Sequence, residues 1–388
     1  MDLILEQQAI INNTKRIKEF RFANPNAIEI GRFKIGVYRT PKSEINAVKD
    51  SYHFCMVGAS YSSDGLANFD DWLIAGLEQR GHRVSRLIVN AKIVHRYGGI
   101  RGLQEILRVQ LKRIYNNLQP DIFWVTHGGG LWSKEMVEDA NDAGLITMFY
   151  GVDDIVLFDS ISRHLTPSFD HVFTFPFVKS VYKEQLNIDT IDFYFCANPF
   201  VVGGQEPNLI EKKKYESDII LTGNVHGIRK SPRLMYLLQF YLAGLDIKYF
   251  GCDNLNKIPQ ASKIWQGYFR SREEENRAYR SSKISFSLTQ QINCYGKRSQ
   301  SITSKMLDGG AAGCLILTND FPDLATGFNS DEVVVYSSVE DAVEKAKYYL
   351  DHPKERIEIA QRGQKRCLED HTITQRVKTI ESLLQKGK

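Results

Sequence analysis

The chain has 388 residues, 43% of them hydrophobic and 25% charged, which fits a soluble two-domain protein and excludes a disordered or fibrous one. Fifty Lys and Arg against 46 Asp and Glu leave a net charge of only +4, so the whole protein is no obvious polyanion binder. No run approaches the roughly 18–20 apolar residues of a membrane span, no signal peptide is visible, and the six scattered cysteines include no Cys-x-x-Cys pair, so a cytoplasmic protein without a structural zinc site is expected.

In chain order, residues 1–24 read as a basic helix and Ile28–Tyr38 as a strand or hairpin added to a sheet edge; the pattern assigns residues 1–50 no firmer structure. The apolar run His53–Gly58 predicts a strand, followed by a Gly/Ser-rich turn and a helix over Phe69–Arg80. Strands follow at Val84–Val89, Asp121–Thr126, Ile146–Tyr150 and His171–Phe175, with helices over Leu103–Leu118, Lys134–Ala143 and Val178–Leu186. Pro, Gly and a charge run then mark residues 201–214 as a linker. Beyond it the alternation restarts with strands Ser217–Thr222, Ile247–Phe250, Lys283–Leu288, Cys314–Thr318 and Glu332–Tyr336. Helices are expected over Pro232–Ala243, Glu273–Ser281, Val339–His352 and Pro353–Leu368. This is α/β patterning: two doubly wound Rossmann-like domains, residues 1–200 and 215–370, facing across a cleft at the carboxyl ends of their strands, with a C-terminal helix over 371–388.

Chemistry-bearing residues cluster where those strands end. Ser304–Gly313 reads as a short helix that points Lys305 and Asp308 toward the cleft and then turns tightly into a buried strand. A carboxylate beside a cation suits a hydroxyl-rich, phosphate-bearing ligand such as a nucleotide-sugar. Gly309 and Gly310, near a helix start, would expose backbone N–H groups to phosphate or else permit tight helix–sheet packing. In the first half, Gly58–Gly65 reads as a ligand-facing βα loop without dinucleotide-fingerprint spacing, and its Ser60, like Gly128 and Gly129, is expected on the acceptor side. His127-Gly128-Gly129-Gly130 permits close backbone approach, with His127 able to hydrogen-bond a sugar. Asp153 or Asp154 could serve as general base on an acceptor hydroxyl; adjacent residues cannot both face one site. From Arg80 to Arg113, nine Lys/Arg, Arg96 and Arg101 among them, face a single acid, Glu105, which suggests an acceptor-side contact with an anionic surface or simple solubility.

The second half resembles the donor domain of GT-B glycosyltransferases, and most closely the spore-maturation (CgeB-like) branch. The resemblance rests on Ile219–Asn224, Tyr249–Gly251, Gly267–Phe269, Tyr279–Phe286, Lys305–Gly313, Glu332–Tyr336, Tyr348–Pro353 and Glu369–Thr372, in the family's order, over roughly residues 215–375. It implies that Asp308, standing where the family has glutamate, contacts the nucleotide ribose. By the same resemblance Lys305, in place of arginine, or Arg229, six residues after the turn glycine Gly223, neutralises the leaving diphosphate. Gly267-Tyr268-Phe269 would address the base, with Tyr268 as a stacking face, and Gln300 occupies the place of a second family glutamate.

The combined expectation is a cytoplasmic, metal-independent glycosyltransferase with no cofactor beyond its nucleotide-diphosphate-sugar donor. Its acceptor would be anionic, such as modified nucleic acid, a phosphate polymer or an anionic lipid surface, or else a neutral glycan or small molecule. A sugar-nucleotide-binding protein without turnover is the alternative, and a GT-B epimerase is disfavoured by the CgeB-like match.

Overall fold

The computed structural model describes residues 2–23, 28–30, 33–41, 51–58, 68–90, 100–126, 131–152, 154–223, 232–251, 259–289, 292–294, 297–299 and 301–386. They divide into an N-terminal unit, residues 9–194 with 292–299, and a C-terminal unit, residues 1–8, 195–291 and 300–388.

The N-terminal unit is built on an eight-stranded sheet. Its strands are β1 (Ile28–Ile30), β2 (Phe33–Arg39), β3 (His53–Val57), β4 (Arg83–Asn90), β5 (Ile122–Thr126), β6 (Ile146–Tyr150), β7 (His171–Thr174) and β8 (Ile191–Asp192). The spatial order is β1-β2-β4-β3-β5-β6-β7-β8, parallel throughout except where β2 pairs with β1 and β4. The edge hairpin expected from Ile28–Tyr38 is therefore present, preceded by a helix over Asp2–Ala23. Strands β3 and β5 are buried at every position, which is why they read as unbroken apolar runs rather than alternations. Aromatic side chains of β5, β6, β7 and the residue after β8 converge: the Tyr150 and Phe193 rings lie 4.9 Å apart, and Trp124 and Phe173 5.2 Å apart. The short hairpin of β12 (Ile292–Cys294) and β13 (Lys297–Ser299) belongs to this unit although its sequence interrupts the other.

The C-terminal unit has an all-parallel five-stranded sheet of β9 (Ser217–Thr222), β10 (Ile247–Phe250), β11 (Ser282–Ser287), β14 (Leu315–Asn319) and β15 (Val334–Tyr336), ordered β10-β9-β11-β14-β15. Ile219, Leu221, Leu237, Phe240, Ile284 and Leu317 form its core. From β9 the chain moves outward to β10 on one side and crosses to β11 on the other, so the switch point lies between β9 and β11. Residues 201–214 hold the end of a helical turn over Pro199–Val202 and most of a helix over Leu209–Tyr215. Helices over Pro353–Asp370 and Ile373–Lys386 complete the unit.

Candidate functional site

The site is assembled on the helix Ser304–Ala311 of the C-terminal unit. Thr303 caps it by accepting from the Met306 N–H (3.4 Å). It ends in a Schellman arrangement: Gly313, at φ +87°, donates to the Gly310 carbonyl (2.9 Å), and Cys314 donates to that of Gly309 (3.0 Å). The tight turn expected at Gly313 is thereby built, and it delivers the chain straight into β14.

Lys305 and Asp308 stand three residues apart on this helix and so share a face. The end of Lys305 occupies the space that a Cβ on Gly223 would need, with Cε 2.6 Å from that position and Nζ nearer still. Gly223 directly follows β9, adopts φ +108°, and accepts from the Tyr249 hydroxyl at 2.6 Å. The amine is thus held over the carboxyl end of β9, at the switch point. Among the described residues no hydrogen bond or ion pair reaches it. Lys305 is half-buried; desolvation, with the neighbouring Arg233 guanidinium, brings its pKa down to about 8. Arg233 itself donates to the Leu288 carbonyl at the end of β11 (3.2 Å from Nη2), which puts a second cation at the same sheet edge.

Asp308 is only 4% exposed. Its Oδ1 accepts from the Asn198 backbone N–H at 2.7 Å, and no hydrogen bond among the described residues reaches Oδ2. The Asn198 side chain donates to Glu275 (3.0 Å), which also accepts from Arg272 (2.7 Å). Burial, reinforced by Glu275, holds the Asp308 carboxyl well above the usual carboxylate range. Lys305 and Asp308 are thus both pushed toward their neutral forms, a condition that an incoming anion reverses for the lysine. Arg233, Asn198, Arg272 and Glu275 escape the sequence reading. Asn198 just precedes Pro199, but its 110-residue separation from Asp308 hides the bond.

Tyr268 is 53% exposed, on a turn whose Gly267 carbonyl accepts from Gly251 just past β10 (2.9 Å). The neighbouring Phe269 packs instead, stacked 4.3 Å from Phe250, so of the two rings Tyr268 presents the outward face.

Two expectations are corrected. Gly309 is not near a helix start: it is the sixth residue of its helix, and a Cβ there would collide with Cβ and Oγ of Ser285 on β11, so it serves close helix–sheet packing. Gly310 does the same against Ile316 and Cys367. Asp154 opens a helical turn inside the N-terminal unit, fully buried, and accepts from the hydroxyls of Ser162, Thr174 (3.1 Å) and Tyr182 (2.7 Å). A carboxylate engaged by three protein hydroxyls is a structural anchor, and the general-base role does not fit it. Ser60, Arg96, His127, Gly128, Gly129, Asp153, Arg229 and Gln300 lie outside the described residues; Arg101 stands in the first turn of the helix Ile100–Leu118.

The basic stretch also contracts in space. Arg86 is buried, 2.8 Å from Asp71 and 3.3 Å from Asp70, while Arg108 and Lys112 both pair with Asp139 (2.5 and 3.1 Å). Among the described residues no group of three or more His, Cys, Asp or Glu is arranged to hold a metal ion, and no helix is long and apolar enough to cross a membrane.

Residues 229–382 match the family model described as glycosyl transferase-like. A search of curated proteins finds no match. Among solved structures, a glycosyltransferase from Rickettsia africae ESF-5 is similar at 13% identity and TM-score 0.61, covering 87% of this chain and 99% of its own. Sucrose-phosphate synthase from Thermosynechococcus elongatus is similar at 8% identity and TM-score 0.60 (87% and 100% covered). HepE from Anabaena, in complex with UDP-glucose, follows at 7% identity and TM-score 0.56 (86% and 100%). The chain therefore has the GT-B fold, and its residues 229–382 carry a glycosyl transferase-like domain.

Proposed function

We propose that this chain is a metal-independent, cytoplasmic glycosyltransferase of the CgeB-like branch that moves a sugar from a nucleotide-diphosphate donor to a hydroxyl acceptor. The observation that carries the proposal is the Lys305 amine, held over Gly223 at the switch point of a parallel sheet with no partner among the described residues. Open parallel sheets bind ligands at that edge. An unpartnered, partly desolvated amine there suits a diphosphate, which would restore its full charge. The UDP-glucose complex of the structurally similar HepE supports the same class of donor.

In this reading the acceptor hydroxyl oxygen bonds to the anomeric carbon as the bond between that carbon and the diphosphate oxygen breaks; the electron pair stays on the departing diphosphate, and the hydroxyl proton passes to that diphosphate or to water. Lys305 and Arg233 face the charge that develops there, the situation in which preorganised cations lower a barrier most. Asp308 uses Oδ2 toward the ribose while Asn198 fixes Oδ1. Tyr268 offers its exposed ring to the base. With Arg86 buried and Asp139 holding Arg108 and Lys112, the charge that suggested an anionic acceptor is smaller than the sequence count, and we propose a hydroxyl acceptor without assigning its charge.

A second reading, a sugar-nucleotide binder without turnover, is favoured by the engagement of Asp154, which removes one expected base. A thermal-shift screen of UDP-, GDP-, TDP- and ADP-sugars with added EDTA tests the first reading. A selective shift lost in Lys305→Met and Asp308→Ala supports it, and no shift with any donor refutes it. Donor hydrolysis without acceptor separates the two readings, because a transferase leaks sugar to water and a binder does not.

A further inference from the structure

The helix Leu209–Tyr215 carries the two most exposed large apolar side chains of the described residues, Leu209 at 86% and Ile210 at 83% exposure. They are adjacent, and their position is built rather than frayed. Asn208 accepts from the N–H groups of Ile210 and Glu211 (3.0 Å each), and Glu211 accepts from the Asn208 N–H (3.0 Å), a complete capping box that presents both side chains at the head of the helix. Leu209 precedes Lys213 by four residues and Ile210 precedes Lys214 by four, so apolar tip and lysines share one face. Lys212, Lys213 and Lys214 are all exposed; Lys212 and Lys213 stand three and four residues after Leu209, while the Lys214 amine donates to the Tyr215 hydroxyl (2.9 Å) over that ring. Two of the neighbouring acids are engaged, Glu211 with Arg277 (3.4 Å) and Glu206 with Arg280, while Glu216 lies exposed at the far end of the helix. Lys248 reaches the carbonyls of Lys214 and Glu216 (2.7 Å each) and adds a cation beside the helix.

We propose that this helix docks the C-terminal unit onto an anionic lipid surface, with Leu209 and Ile210 entering the acyl–headgroup boundary and the lysines meeting lipid phosphates and carboxylates. Aliphatic tips backed by lysine are the composition of interfacial membrane contacts. A nucleic acid would be served by aromatic stacking faces, which this tip lacks, and one seven-residue helix offers too little area for a stable protein interface. The inference is independent of the donor site, since none of these residues belongs to it.

The test is co-sedimentation of the full chain with phosphatidylcholine vesicles containing one-third phosphatidylserine, against pure phosphatidylcholine vesicles. The expected result is binding to the anionic vesicles alone, weakened by salt. Leu209→Ser/Ile210→Ser should reduce the apparent affinity at least about tenfold, and Lys212→Ser/Lys213→Ser should remove the salt dependence. A Leu209→Trp variant should show a blue-shifted emission with the anionic vesicles. Both substituted pairs are exposed, so melting temperature and donor-induced thermal shift should match the parent and certify the fold. No binding to anionic vesicles, equal binding by the serine variant, or lysine-dependent capture of a DNA oligonucleotide in place of vesicles would each overturn the proposal.

Discussion

Replacing Lys305 by Met keeps the length of the side chain and removes its charge, and its effect on binding of the nucleoside diphosphate that the donor screen selects can be worked through. Truncating one member of a desolvated charge pair costs about 2–3 kcal/mol, which weakens binding roughly 30- to 150-fold. The pH dependence is the sharper signature. In the free protein the Lys305 pKa is depressed to about 8, so at pH 9 only about one molecule in ten carries the proton. A bound diphosphate raises that pKa, so affinity is full below pH 8 and falls as pH rises through it. The decline approaches tenfold per pH unit until the pKa of the complex is reached. Isothermal titration of that nucleoside diphosphate at pH 7, 8 and 9 should therefore show a steep fall for the parent and a low, flat profile for Lys305→Met. The variant should melt no lower than the parent, because a desolvated amine is being replaced by an apolar group. Affinity for that diphosphate within about twofold of the parent, or an unchanged pH slope in the variant, would refute the assignment of Lys305 to the diphosphate.

Three further outcomes follow from the packing. Gly309→Ala should destabilise the C-terminal unit by about 1–3 kcal/mol through its collision with Ser285, and Ser285→Gly should rescue it; additive effects in urea unfolding would refute close packing as the role of this glycine. Asp154→Ala leaves the hydroxyls of Ser162, Thr174 and Tyr182 without their acceptor and should cost about 3 kcal/mol or more; a variant of parental stability that loses turnover would restore the general-base reading. His371, buried, accepts from Arg376 (2.9 Å) and donates to the Gly327 carbonyl (3.1 Å); burial, then Arg376, lowers its pKa from 6.5 to about 4. Its neutral form is the one the fold holds, so about 3 kcal/mol of stability is present above pH 6.5 and is lost as pH falls toward 4. Urea unfolding across that range should show this loss in the parent and a smaller one in His371→Gln.

Most parallel strands were legible because they are short apolar runs closed by a turn residue: Ile146–Tyr150, Ser217–Thr222 and Ile247–Phe250 are found where the pattern places them, whereas the two-residue β8, Ile191–Asp192, is too short to leave one. Helix ends differ by a residue or two, as at Arg272–Arg280 against the expected Glu273–Ser281, since capping rather than hydrophobicity decides the final turn. The hydrophobic period said less about side chains that carry charge. The Asp153-Asp154 pair looks like a strand-end cluster, yet nothing local reveals that Asp154 turns inward to three hydroxyls from β7 and the following helices. Arg86 counts as one of nine cations along the chain, but its burial against Asp70 and Asp71 is set by a helix fifteen residues upstream. Lys305 and Asp308 were visible as a pair because a helix turn joins them. Their partners Gly223, Asn198 and Glu275 come together only through tertiary packing.

The way the last two helices are tied down bears on how the protein is made. The Arg376 guanidinium donates to the Phe195 carbonyl (2.9 Å from Nη2), and the Ala197 N–H donates to the His371 carbonyl (2.7 Å), one residue before the Asn198 N–H that holds Asp308. The segment 195–198 thus leaves the ribosome nearly two hundred residues ahead of the groups that fix it. During synthesis the N-terminal unit can collect its sheet early, while the C-terminal unit waits for residues 371–376 to emerge before the segment that holds the Asp308 carboxylate is locked in place.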